Sequence, residues 1–137
     1  MQKKYFDIAY KEASKAYSKG EIPVGCVIVY KNKILAKTHN LKESLNDSTS
    51  HAEILAIREA SKKLNDWRLN ECVLYTTLKP CLMCMGAIFE SRISEVNYIV
   101  ETEDYKKYYH KISVNKNDYL EDESLCLLKS FFSNKRK

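Results

Sequence analysis

Glycine and proline are scarce in this sequence, three and two among 137 residues. So few breakers exclude a collagen-like, linker-rich or low-complexity chain and leave most residues free for regular elements. No apolar run approaches the roughly eighteen residues that span a bilayer. The opening "MQKKYFDIAYKEAS" is charged and interrupted, so it lacks the apolar centre of a secretory signal. Internal repeats are absent. Five cysteines, an odd number with two in a C-x-x-C, do not suit a disulfide framework and point to thiolate ligands or redox chemistry. Together these absences predict one cytoplasmic domain, 1–137, with no membrane segment. Charge is only mildly unbalanced: 23 basic against 18 acidic residues give a net +5. That excess fits a solvated lysine-rich surface as readily as a phosphate-bearing partner.

The elements follow from apolar spacing. Phe6, Ala9, Tyr10, Ala13, Ala16 and Tyr17 recur at helical intervals over 3–18, and Gly20 and Pro23 end that helix. "VGCVIVY" (24–30) and "KILAKT" (33–38) are β-rich runs across a tight polar turn, the pattern of a hairpin. "SLNDSTS" supplies turn and N-cap residues before a helix over 51–64. "CVLYTT" (72–77) and "VNYIV" (96–100) read as buried strands around a helix at roughly 81–91, with Pro80 at its mouth. "KISV" (111–114) is a possible short strand. The last helix, 120–133, would bury a stripe of Leu125, Leu128 and Phe132, with Leu127 and Phe131 beside it. This order predicts an α/β fold, a three-layer α-β-α sandwich with a mixed, mostly five-stranded sheet.

The chemistry lies at two helix starts. "HAE" (51–53) opens one and "PCLMC" (80–84) opens the other. A C-x-x-C at a helix start aims two thiolates at one locus, near N–H groups that favour anionic sulfur. With His51, Cys81 and Cys84 form a one-nitrogen, two-sulfur set suited to Zn2+ over calcium or magnesium. Three protein ligands leave a fourth position for water, as in catalytic rather than structural zinc sites. Glu53, two residues from His51, is free to move protons. Taken singly, a histidine at a helix start is usually a cap or a packed core residue, and a C-x-x-C is often a redox pair. Jointly, H-x-E with P-C-x-x-C is the signature of zinc deaminases acting on nucleobases. Cys26, Cys72 and Cys126 fall in strand or helix patterns and read as core packing.

On these motifs the chain resembles the cytidine-deaminase-like superfamily, and most of all bacterial tRNA-specific adenosine deaminases. The likeness runs from "AYKEASKAYSKGEIPVGCVIV" through "HAEILAIREA" and "WRLNECVLYTTLKPCLMCMGAIFESRI" to "LLKSFFSNKRK". The zinc motif is common to many deaminases; "EIPVG", "WRL", "SRI" and the closing "FF" with basic residues favour the tRNA-editing branch. The resemblance implies one Zn2+ held by His51, Cys81 and Cys84, with Glu53 as the catalytic proton shuttle. It implies Asn40 as reader of the base edge, Ile22, Leu78 and Pro80 as the base pocket, and Phe132 as an aromatic near the target nucleotide. On periodicity alone, Phe132 is a core residue. The implied reaction is hydrolytic conversion of the wobble adenosine of a tRNA anticodon to inosine. The implied partners are the anticodon stem-loop and a second copy of the chain in a homodimer.

Two features depart from the family pattern. Lys79 stands where an acidic residue usually precedes the Pro-Cys pair. The segment "ETEDYKKYYH" (101–110) is also short, so either the crossover to the last strand is compact or that strand pairs differently. Tyr105, Tyr108 and Tyr109 are candidates for stacking on bases or for ordinary surface packing. The shortened segment motivates an alternative, a deaminase of free guanine- or cytosine-type bases or nucleotides. A non-catalytic, zinc-stabilised RNA-binding module is a third possibility, which an incomplete protein ligand set argues against.

Overall fold

The computed structural model describes residues 2–101 and 112–135. The tyrosines at 105, 108 and 109, the first residue of the 111–114 strand and the last two basic residues lie outside these. The elements are α1 (Gln2–Ser18), β1 (Gly25–Tyr30), β2 (Lys33–His39), α2 (Ala52–Leu64), β3 (Cys72–Leu78), α3 (Leu82–Glu90), β4 (Glu95–Val100), β5 (Ser113–Lys116) and α4 (Glu121–Lys135). Five strands form one sheet in the order β2-β1-β3-β4-β5. β1 is antiparallel to both β2 and β3, while β3, β4 and β5 run parallel. The α/β sandwich with a mixed five-stranded sheet is therefore as the sequence predicts.

Strand alternation divides the core in two. Cys26 and Ile28 of β1, with Cys72 and Leu74 of β3, face Ala52, Ala56 and Ala60 of α2 and Met85 and Ile88 of α3. Val27, Val29 and Tyr75 point the other way, onto Tyr5, Phe6 and Ala9 of α1 and Leu128 of α4. Burial of each large apolar side chain stabilises the sandwich by roughly 1.5–3 kcal/mol. The hairpin closes tightly because Lys31 and Asn32 both adopt positive φ, 49° and 65°, the twist that suits a two-residue turn. β5 pairs parallel to β4, from Glu95 opposite Ser113 to Tyr98 opposite Lys116. The last strand therefore pairs in parallel with β4; the segment that joins them lies outside the described residues.

Three expectations need correction. The short strand begins at Ser113 and runs to Lys116, two residues later than the pattern suggested. In α4 the buried stripe is Ser124, Leu128 and Phe131, an i, i+4, i+7 line, with Leu125 half-buried. That phase turns Phe132 outward, 45% exposed, instead of into the core. Cys126, read as core, is exposed for the same reason, whereas Cys26 and Cys72 are buried.

Gly25 fixes how closely α1 can approach the sheet. A Cβ there would sit 1.8 Å from the Ala9 carbonyl oxygen and 2.7 Å from the Ala13 nitrogen. Both are backbone atoms of a helix and cannot swing aside. Gly25→Ala is expected to destabilise the fold by about 3 kcal/mol, at the upper end of overpacking costs. Denaturant midpoints of the two proteins measure this; an unchanged midpoint would contradict the close approach.

Candidate metal centre and active site

One end of the sheet collects His51, Glu53, Cys81 and Cys84 with Ile22, Asn40, Leu78 and Pro80. Gly25 pairs with His39, so β1 begins where β2 ends. Cys26 pairs with Thr76, so β3 finishes at that same end. Ile22 lies just before β1, Asn40 just after β2, and Leu78 and Pro80 at and beyond the end of β3. Ile22 and Leu78 are half-buried and touch both cores; Asn40 and Pro80 are buried. This is also where the neighbour relation changes across β3, antiparallel on one side and parallel on the other, the customary place for a ligand crevice. Phe132 lies outside this set, on the exposed face of α4 near its C-terminal end. Asn134 Nδ2 donates to the Tyr17 hydroxyl at 3.2 Å, which sets the last turn of α4 beside the last turn of α1.

His51 and Cys81 occupy the N-cap positions of α2 and α3 with extended backbones, and neither side chain caps its helix. The imidazole is instead turned to the thiols. His51 Nδ1 is 3.7 Å from Cys81 Sγ and 3.5 Å from Cys84 Sγ. Donor atoms on a tetrahedral zinc, at about 2.0 Å for nitrogen and 2.3 Å for sulfur, stand roughly 3.5–3.8 Å apart. The spacing and the donor chemistry both fit zinc, and His51, Cys81 and Cys84 are the residues that hold it. Among the described residues they are the one cluster of this kind.

The electrostatics suit the same purpose. The Cys84 thiol donates to the Cys81 sulfur, as do the backbone N–H groups of Cys84 and Met83 at the start of α3, and His51 adds a favourable charge. Against the opposing effect of burial, these hold Cys81 down at about 5, a ready thiolate. Cys84, deeper, is pushed upward by that donation and by burial. Glu53 is 4% exposed. Burial lifts its carboxyl to about 7, and the neighbouring Cys81 thiolate adds to the rise. Cys26 lies behind the site, raised by burial and by the Glu53 charge.

Three supporting devices escaped the sequence. Asp47 accepts hydrogen bonds from the Ser50 and Thr49 hydroxyls at 2.7 and 2.8 Å and from the Thr49 N–H at 2.9 Å. These bonds, Ser50's foremost, lower it to about 2 and set the turn that delivers His51. Glu21 is fully buried and accepts from the Glu43 N–H at 3.0 Å and from Ser44, pinning the 41–50 loop to the segment that leads into β1. Thr38 donates to the Ala52 carbonyl at 2.7 Å, fastening β2 to the first turn of α2. "NDST" announced a turn but not its direction, and nothing local marks Glu21 as an anchor. The "WRL" and "SRI" motifs prove to be one unit. Leu69 N–H donates to the Ser91 carbonyl at 2.7 Å, and the Arg68 and Arg92 guanidiniums lie 4.7 and 5.4 Å from the Trp67 ring centre.

A family model for the cytidine and deoxycytidylate deaminase zinc-binding region matches residues 1–100. A zinc triad at paired helix starts on this sheet places the chain in that deaminase family, to which it belongs. Its full-length similarity is to proteins of narrower description. It is 39% identical to the tRNA-specific adenosine deaminase of Buchnera aphidicola subsp. Schizaphis graminum, over 96% of this chain and 94% of that one. It is also 39% identical to the tRNA-specific adenosine deaminase of Bacillus subtilis, over 97% and 89%. A solved tRNA:A34 deaminase structure, from work on A-to-I editing at the wobble position of transfer RNA, superposes with a TM-score of 0.85. The two share 32% identity over 90% of this chain and 98% of that one. The guanine deaminase structure of Bacillus subtilis gives a TM-score of 0.69 at 38% identity, over 77% and 68%.

Asp47 never touches the metal ligands, so its removal tests the turn alone. Asp47→Ala is expected to weaken zinc binding about tenfold, as loss of an outer support does, measured by competition with a chelator. Because its folded pKa lies below the usual 3.8, the stability it confers is complete above about pH 4 and disappears as pH falls through about 2. Any weakening seen at pH 7 therefore reports the lost turn and not a titration.

Proposed function

We propose that this chain, 1–137, is a single zinc-dependent deaminase domain that converts the wobble adenosine of a tRNA anticodon to inosine. One observation carries the reading: the zinc triad and the buried Glu53 converge at one end of the sheet, in a chain matched nearly end to end by tRNA-specific adenosine deaminases. Bound zinc supplies an acidified water, with a pKa lowered to about 7. Glu53 would take that water's proton and give it to a ring nitrogen of the purine as the C–O bond forms; it would then take the proton of the new ring hydroxyl and pass it to the amino group, which leaves as ammonia while the carbonyl forms. A carboxyl lifted toward neutrality by burial both accepts and returns a proton at physiological pH. Asn40 offers its amide to the purine edge, its carbonyl oxygen already receiving a 3.4 Å contact from the Lys42 N–H. Ile22, Leu78 and Pro80 form the apolar wall, and the outward Phe132 meets the nucleotide next to it. An anticodon loop presents its base unpaired, so extrusion into this site costs little. Such a protein acts in the cytoplasm; no described helix is long and apolar enough to cross a membrane.

Residues Leu82, Met83 and Phe89 of α3 are 55%, 39% and 38% exposed. The nine-residue helix carries one charge, Glu90, at its end. An apolar helix left this open beside a zinc site is the surface by which two copies associate, giving the homodimer. Phe89→Glu is expected to turn a dimer into a monomer in sedimentation velocity. A parent protein that sediments as a monomer at all concentrations removes this assignment.

The similarity to a guanine deaminase makes free guanine the natural competing substrate. Zinc-loaded protein incubated with tRNA is expected to yield inosine in nucleoside mass spectrometry, while free guanine is untouched. Glu53→Gln should lower the rate at least about a hundredfold with zinc content unchanged. Turnover of guanine without inosine in tRNA would replace the reading by the free-base one. A fully active Glu53→Gln protein would remove the proton-shuttle role.

A further inference from the structure

Lys79 is 5% exposed, an expensive place for an ammonium. Its Nζ lies 3.1 Å from Glu101 Oε1 and 5.5 Å from the centre of the Tyr98 ring. The Tyr98 hydroxyl donates to the other carboxylate oxygen of Glu101 at 2.6 Å, so the three side chains close a ring of contacts. The backbone joins in, with the Lys79 N–H donating to the Val100 carbonyl at 2.9 Å. Leu78 is paired with Val100 in the β3–β4 register. Lys79 therefore ties the outgoing end of β3 to the outgoing end of β4, at the point where the chain passes from Leu78 to Pro80.

We infer that Lys79, held by Glu101 and Tyr98, is a positioning residue that fixes the Leu78–Pro80 wall against the target base. The inference rests on the deaminase reading above. Lys79 does not act as a phosphate contact: its charge is turned into the protein, onto a carboxylate and a ring face, and is buried. A lysine facing RNA would be solvated, and its removal would flatten the salt dependence of binding. Loss of a positioning residue acts on the geometry of the reacting base and so falls on kcat.

The test uses the zinc-loaded protein and an anticodon stem-loop RNA. Lys79→Met, which keeps the stem and removes the charge, is expected to lower kcat about tenfold with KM changed less than about twofold and zinc content intact. Lys79→Arg, able to pair with Glu101 and stack on Tyr98, should stay within about threefold of the parent. Glu101→Gln should resemble Lys79→Met, and the double variant should be no worse than the poorer single one, as partners in one contact require. The slope of log KM against log salt should be the same in parent and Lys79→Met. Parent-like kinetics in Lys79→Met, multiplicative losses in the double variant, or a slope reduced by about one unit would each overturn the inference. A parent that makes no inosine in RNA would instead defeat the deaminase reading itself.

Discussion

The site depends on two helices beginning within bonding reach of the same point. His51 and Cys81 are thirty residues apart in sequence, and each sits where a helix starts and its first N–H groups are free. Those N–H groups stabilise sulfur as thiolate at Cys81, and the second thiol follows one turn later at Cys84. A metal can then draw three donors together without distorting either helix. The sheet makes the meeting possible. Because β1 alone runs against its neighbours while β2, β3, β4 and β5 share one direction, strand ends, loop starts and helix starts crowd onto one end of the sheet.

That crowding places charged groups where water is scarce, and each is answered locally. Glu12 is 5% exposed and meets Lys15 Nζ and His39 Nδ1, both at 2.8 Å, while Lys19 Nζ stands 3.0 Å from His39 Nε2. Glu21 is held below the usual carboxylate range despite its burial by the Ser44 hydroxyl and two backbone N–H groups. Lys79 has Glu101 and Tyr98. Glu53 differs from these. Burial dominates its environment and raises its pKa, and the Cys84 thiol beside it offsets this only in part. Anchoring carboxylates are thus kept ionised, while the carboxyl at the metal is kept near its proton-exchange point.

Much of this was legible beforehand because it is written in short-range patterns. "VGCVIVY" reads as a strand from its β-rich apolar run, and β1 lies there; that Cys26 and Ile28 enter one core and Val27 and Val29 the other is seen only in the packing. H-x-E and P-C-x-x-C, each beside a helix start, name the metal set because spacing along a helix is a fixed length. The phase of α4 was not legible. Leu125, Leu127, Leu128, Phe131 and Phe132 offer several stripes of similar hydrophobicity, and only packing against α1 and β4 selects Leu128 and Phe131 for burial. Nor could the direction of β5 be read, since pairing parallel or antiparallel is decided by the partner strand and not by four residues of mixed polarity.

By itself the sequence determined the elements, the donor chemistry of the metal site and the acid placed beside it, since all three are set by neighbours within about one helical turn. Tertiary structure alone decided which loop anchors were needed, which way the final strand runs, which face of α4 is wetted and where the charge of Lys79 points. Each of these depends on atoms far along the chain, brought to van der Waals contact by a sheet whose register no local stretch contains.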